Sequence, residues 1–162
     1  MKLITKIKFF IVNPKNLITK IMKIIISENQ YKRLFEQEQK VLHIPDLKYV
    51  GGWDILQEFL ILKGNPPYSI GGNLDLRETS IESLGNLQSV GGYLNLYGTP
   101  IKSLGNLKSV GGDLYLEGTP IKSLENLKSV GGNLILYKTP ISKMYSEDQI
   151  RQMVNVEGKI YL

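Results

Sequence analysis

Five Gly-Gly pairs stand in this chain at 51–52, 71–72, 91–92, 111–112 and 131–132, each 20 residues after the one before. A period of that length, held without slippage, marks a chain built by stacking one short unit many times. The clearest units are residues 91–110 and 111–130, with 71–90 before them and 131–144 after. Two glycines open each unit. An alternating x-Leu-x-Leu-x stretch follows, and this pattern predicts a short strand with one buried face. It carries Leu74 and Leu76, Leu94 and Leu96, Leu114 and Leu116, and Leu134 and Leu136.

The rest of the unit reads as a return path. Thr-Pro turns the chain, because proline fixes φ and cannot donate to a ladder. Ile101, Leu104, Leu107 and Val110 then point back to the core. The Gly-Gly pair is expected to supply unusual backbone angles at the corner where the next strand begins. Asn86, Asn106 and Asn126 recur in one column, where their amides are expected to bond backbone groups of a neighbouring unit. Six apolar side chains per unit do not offset the entropy of ordering 20 residues, so units must share faces and the array needs covered ends.

Both ends carry helix signals. Residues 46–53 echo the Leu-x-x-Val-Gly-Gly run, but no strand pattern follows, and Trp53 to Lys63 reads as a helix stopped by Gly64 and Pro66. Ser146 and Gln149 form a capping box opening a helix to about Met153, and 158–162 reads as a fifth strand. Ser27 and Gln30 predict a further capped helix, with Tyr31, Leu34 and Phe35 on its apolar face. The expected organisation is a basic tail at 1–26, a helical capping region at 27–70, repeats at 71–144 and a helix-plus-strand cap at 145–162.

The Leu-x-x-Val-Gly-Gly-x-Leu-x-Leu pattern resembles leucine-rich repeats, and more closely the receptor L domain-like short repeats. The Gly-Asn-Pro-Pro-Tyr-Ser-Ile-Gly-Gly and Ser-Leu-Gly-Asn-Leu-x-Ser-Val-Gly-Gly runs are similar to those of uncharacterised repeat proteins of tailed phages. The resemblance covers roughly 46–162. It implies an α+β repeat fold: a short leucine-rich-repeat-like right-handed solenoid with parallel β-strands and helical caps. It also implies a phage or bacterial source, and with it host or bacterial cytoplasm or a virion. It carries no established activity.

The net charge of +5 is unevenly placed. Residues 1–26 hold six lysines and no acid, whereas the remainder holds 14 basic and 15 acidic residues. A nucleic-acid or membrane-surface partner is therefore expected only through that tail. Lys6 and Lys8 interrupt its apolar run and no small-residue cleavage site follows, so secretion is not supported. Met22 opens Met-Lys-Ile-Ile-Ile-Ser-Glu-Asn-Gln, which resembles a natural start. Residues 1–21 thus read as a mis-called start, with a surface-binding tail and a poorly formed signal as the alternatives.

Little in the sequence suggests catalysis. There is no cysteine, and the one histidine, His43, falls in a segment read as a connection. No metal, cofactor or small-molecule substrate is expected. Asp75, Asp113 and Glu117 lie on the outer strand face and could neighbour one another, the arrangement that acid–base chemistry uses. A solvated face collects carboxylates too. The more telling feature of that face is aromatic. Tyr93, Asn95, Tyr97, Asp113, Tyr115, Glu117, Tyr137 and Tyr161 alternate with the buried leucines on four of the five strands, and the five together span about 20 Å. Tyrosine and asparagine are adaptable contact residues, so these eight are the candidate surface for a protein partner of unknown identity. Tyrosine also suits exposed strand positions by propensity. Lys102 and Lys122, with Lys108 and Lys128, form a weaker basic column.

Overall fold

The computed structural model of the chain describes residues 41–162. Two parallel sheets carry the architecture. The first has six strands, β1 (Leu42–Ile44), β2 (Tyr68–Ile70), β4 (Leu87–Val90), β6 (Ser109–Val110), β8 (Ser129–Val130) and β10 (Asn155–Val156), in that spatial order. The second has five, β3 (Leu74–Asp75), β5 (Leu94–Asn95), β7 (Leu114–Tyr115), β9 (Leu134–Ile135) and β11 (Ile160–Tyr161), also in chain order. Each 20-residue unit gives one strand to each sheet. Equivalent residues pair across units, as in Leu94 with Leu114 and Val110 with Val130.

The second sheet is the one expected from the x-Leu-x-Leu-x pattern, including β11 in the degenerate final unit. The first sheet was not anticipated. Its strands in the regular units, β6 and β8, are the Ser-Val dipeptides ahead of a Gly-Gly pair, too short to show an alternation, and β4 ends in the same dipeptide. His43 lies in β1 of this sheet rather than in a connection. The region read as a helical cap at 27–70 therefore contributes two strands, β1 and β2.

Between the sheets runs one core, from Ile44 to Ile160. In unit 91–110 the six predicted positions, Leu94, Leu96, Ile101, Leu104, Leu107 and Val110, are all buried. Thr99, Thr119 and Thr139 join them, each hydroxyl donating to the carbonyl three residues back, on Leu96, Leu116 and Leu136. The threonine thus closes its own turn and enters the core without an unpaired hydroxyl.

The Gly-Gly pairs do a different job from the one expected. At 71–72, 91–92, 111–112 and 131–132 the backbone stays out of the left-handed region. Left-handed angles occur instead at two other corners, one with Glu78, Gly98, Gly118 and Lys138, the other with Gly85, Gly105 and Glu125. What the pairs require is closeness. A Cβ on Gly91, Gly111 or Gly131 would fall on the carbonyl oxygen of Gly71, Gly91 or Gly111 one unit earlier. The second glycines stack similarly, Gly112 N donating to Gly92 O at 2.9 Å and Gly132 N to Gly112 O at 3.0 Å. Only at 51–52 does the pair adopt positive φ, 83° and 104°, and there a helix follows.

That helix, α1 (Trp53–Leu62), sinks Leu56 and Leu60 into the core. At the other end α2 (Ile141–Met144) and α3 (Glu147–Met153) replace the usual return turn and bury Ile141 and Ile150. The Ser146–Gln149 capping box forms as the sequence predicts. The capping box at Ser27 and Gln30, the basic tail and the reading of Met22 lie outside the described residues.

Candidate functional site

The outer face of the five-stranded sheet presents three columns of side chains that follow the strand register. Tyr93, Asp113 and Asn133 stand in the first, with Asn73 before them. Register places Asp75, Asn95, Tyr115, Ile135 and Tyr161 in the second. Arg77, Tyr97, Glu117 and Tyr137 follow one alternation further on.

The first column holds the stack together. Asn73 Oδ1 accepts the backbone N–H of Tyr93 at 3.0 Å. Asp113 Oδ1 accepts that of Asn133 at 2.6 Å, and Asn133 Oδ1 that of Lys159 at 2.9 Å. Each side-chain oxygen thus reaches one unit forward and pairs an amide the ladder leaves open. Asp113, a candidate contact residue, has its other oxygen engaged too, by the Tyr115 hydroxyl at 3.0 Å. That bond to the carboxylate, with some burial, raises the Tyr115 pKa, because the neutral phenol donates it. Asn95 is partly committed as well, its Oδ1 accepting from Tyr97 N at 3.0 Å.

The rings form diagonal pairs. Tyr93 meets Tyr115 edge-on at 6.4 Å between centroids and 87° between planes. Tyr137 meets Tyr161 at 6.0 Å and 46°. These are the separations at which aromatic quadrupoles attract. Tyr97 and Tyr137 are exposed and Tyr93, Tyr115 and Tyr161 half-buried. Four of the five candidate tyrosines are thereby held in place by a neighbour.

Charge on this face is largely paired. Arg77 bridges Asp75 at 3.0 Å and Lys138 bridges Glu117 at 3.2 Å. Asp75 faces Asn95 across the strands, and Asp113 flanks Tyr93 and Asn133, so the carboxylates are spread over the face and do not form an adjacent pair. Among the described residues no group of three or more His, Cys, Asp or Glu is placed to hold a metal ion.

The first sheet has its own surface, which the sequence reading missed. Ser69, Ser89, Ser109 and Ser129 line a shallow groove of about 410 Å³ with Gly71, Gly91 and Gly111. At one end His43 Nδ1 lies 3.1 Å from Ser69 Oγ. The available signal was the serine recurring two residues before every Gly-Gly from 71 onward. Elsewhere, Lys102, Lys108, Lys122 and Lys128 are exposed, with Lys108 Nζ donating to Gln88 Oε1 at 3.2 Å.

The asparagine column largely behaves as expected. Asn86 donates to Asn65 O at 2.6 Å and Asn126 to Gly105 O at 2.8 Å. Asn106 instead donates to the Asn86 side chain at 3.0 Å. No helix among the described residues is long and apolar enough to cross a membrane. Comparison with protein-family models, curated proteins and solved structures finds no match.

Proposed function

We propose that this chain is a non-enzymatic protein-interaction or structural module of phage or bacterial origin, built as a right-handed leucine-rich-repeat-like solenoid. Its contact surface is the outer face of the five-stranded sheet. The carrying observation is the preorganised aromatic face, with Tyr93 on Tyr115 and Tyr137 on Tyr161 beside exposed Tyr97. Rings already fixed against a neighbour lose little rotamer freedom on binding. The parallel in-register stacking of 20-residue units in both sheets supports the solenoid reading.

The test places a photo-crosslinking residue at Tyr97 or Tyr137, and in a control at Lys102 or Lys122. Crosslinks to one protein from the tyrosine positions alone support the reading, and the joint change of Tyr93, Tyr97, Tyr115 and Tyr137 to Ser should abolish capture of it. Capture that survives this change sinks the assigned face. The lysine-rich segment 1–26 favours a second reading, an electrostatic binder of nucleic acid or anionic membrane acting through the tail.

A further inference from the structure

Among the described residues, α1 carries a group of exposed large apolar side chains away from its core side. Ile55, Phe59 and Leu62 follow one another at i, i+4 and i+7, and are 54%, 38% and 85% exposed. Ile61 beside them is 65% exposed. Leu56 and Leu60, about a third of a turn round the helix from that stripe, are engaged in the core. A soluble surface seldom groups such side chains on one stripe unless something covers them.

We propose that α1 is a self-association surface, its stripe packing in parallel against the same stripe of a second copy about a two-fold axis. The flanking charges select that occupant. In heptad terms Ile55 and Leu62 take d positions and Phe59 takes a, which puts Glu58 at g and Lys63 at the following e. A parallel two-fold pair brings Glu58 of each copy to Lys63 of the other, so the surface is complementary to itself. An antiparallel pair would set Glu58 against Glu58. Lys63 is already poised at this edge, its ammonium 5.6 Å from the centroid of the Phe59 ring. The proposal is independent of the tyrosine face. A ten-residue helix pair is a small interface, so association belongs in the micromolar range.

Sedimentation of the full chain from about 5 to about 200 μM tests it. The expected result is a rise from monomer to dimer mass, abolished by Phe59→Glu or Leu62→Glu. Glu58→Lys and Lys63→Glu singly should weaken the dimer about fivefold to tenfold, and the two together should restore it to within about threefold. Both keep Leu56 and Leu60, so circular dichroism should show an unchanged fold. A chain that stays monomeric, a dimer indifferent to Leu62→Glu, or a charge swap that fails to rescue overturns the proposal. A monomer whose melting temperature falls on Leu62→Glu also overturns it, because the stripe is then covered within a single chain.

Discussion

Arg151 donates from Nη1 to the carbonyl oxygen of Val156 at 2.8 Å, taking the place that a further repeat would occupy. In the preceding unit the equivalent carbonyl, on Val130, accepts the N–H of Glu157 at 3.0 Å. The same guanidinium donates from Nη2 to Gly158 O at 3.0 Å, where the equivalent Gly132 O accepts Gly158 N at 3.0 Å. Glu147 holds the arginine from the other side at 2.8 Å. One side chain thus satisfies two acceptors at the edge of β10, the kind of edge that otherwise invites strand addition.

Arg151→Met keeps the aliphatic bulk and removes the donors. It should cost about 1–3 kcal/mol in chemical denaturation, the range for hydrogen bonds from charged groups. It should also raise self-association, read by light scattering. Unchanged stability would mean that water replaces the guanidinium at both carbonyls.

The two kinds of glycine should separate by mutation. Gly111→Ala places a methyl group on the Gly91 backbone, which cannot yield without separating two units, so a loss of about 3 kcal/mol or more is expected. Gly118→Ala meets no atom closer than 3.8 Å and is penalised only by its φ of 72°, at about 1–2 kcal/mol. Urea denaturation of the two variants side by side checks the order, and the reverse order would refute close approach as the reason for the pairs.

Asp113→Asn should be nearly neutral for stability, since Asn73 and Asn133 hold the equivalent bond with an amide. Asp113→Ala leaves the Asn133 amide unpaired and should cost about 1–2 kcal/mol. Thermal melts at matched pH separate the two. Equal losses would show that the carboxylate charge itself matters.

Tyr68 predicts a specific alkaline sensitivity. Its ring is fully buried, its hydroxyl donates to Leu84 O at 2.8 Å, and burial pushes its pKa up to about 12. The unfolded chain ionises this phenol near its ordinary value of about 10. The stabilisation is therefore whole below pH about 10 and lost as pH rises through about 12, by an amount on the order of 2–3 kcal/mol. Tyr68→Phe should be less stable than the parent by about 1 kcal/mol at pH 8, for want of the hydrogen bond, and should overtake it at about pH 11. A stability difference constant with pH would show that the phenol is not the group responsible.

The tail makes its own prediction. A chain beginning at Met1 should bind DNA or anionic vesicles with an affinity that falls steeply with salt, and one beginning at Met22 should not. Equal binding by the two removes the tail as the electrostatic element.

Periodicity alone determined the 20-residue unit, the x-Leu-x-Leu strands and the six core positions per unit, and the spacing of capping and stop residues marked both helices bounding the described array. These follow from spacing, and spacing is written in the chain. The six-stranded sheet was hidden because a Ser-Val dipeptide carries no alternation; it becomes a strand only when a neighbouring unit supplies its hydrogen-bond partners. The same holds for the glycine pairs, whose role depends on a backbone 20 residues away and not on their own φ. The candidate face was legible as a set of outward positions. Which of its members bind their own fold, as Asp113 and Asn133 do, and which stand as paired rings, was decided by register between strands. Arg151 had no sequence signal at all: its two acceptors exist because no strand of the described fold pairs with that edge of β10.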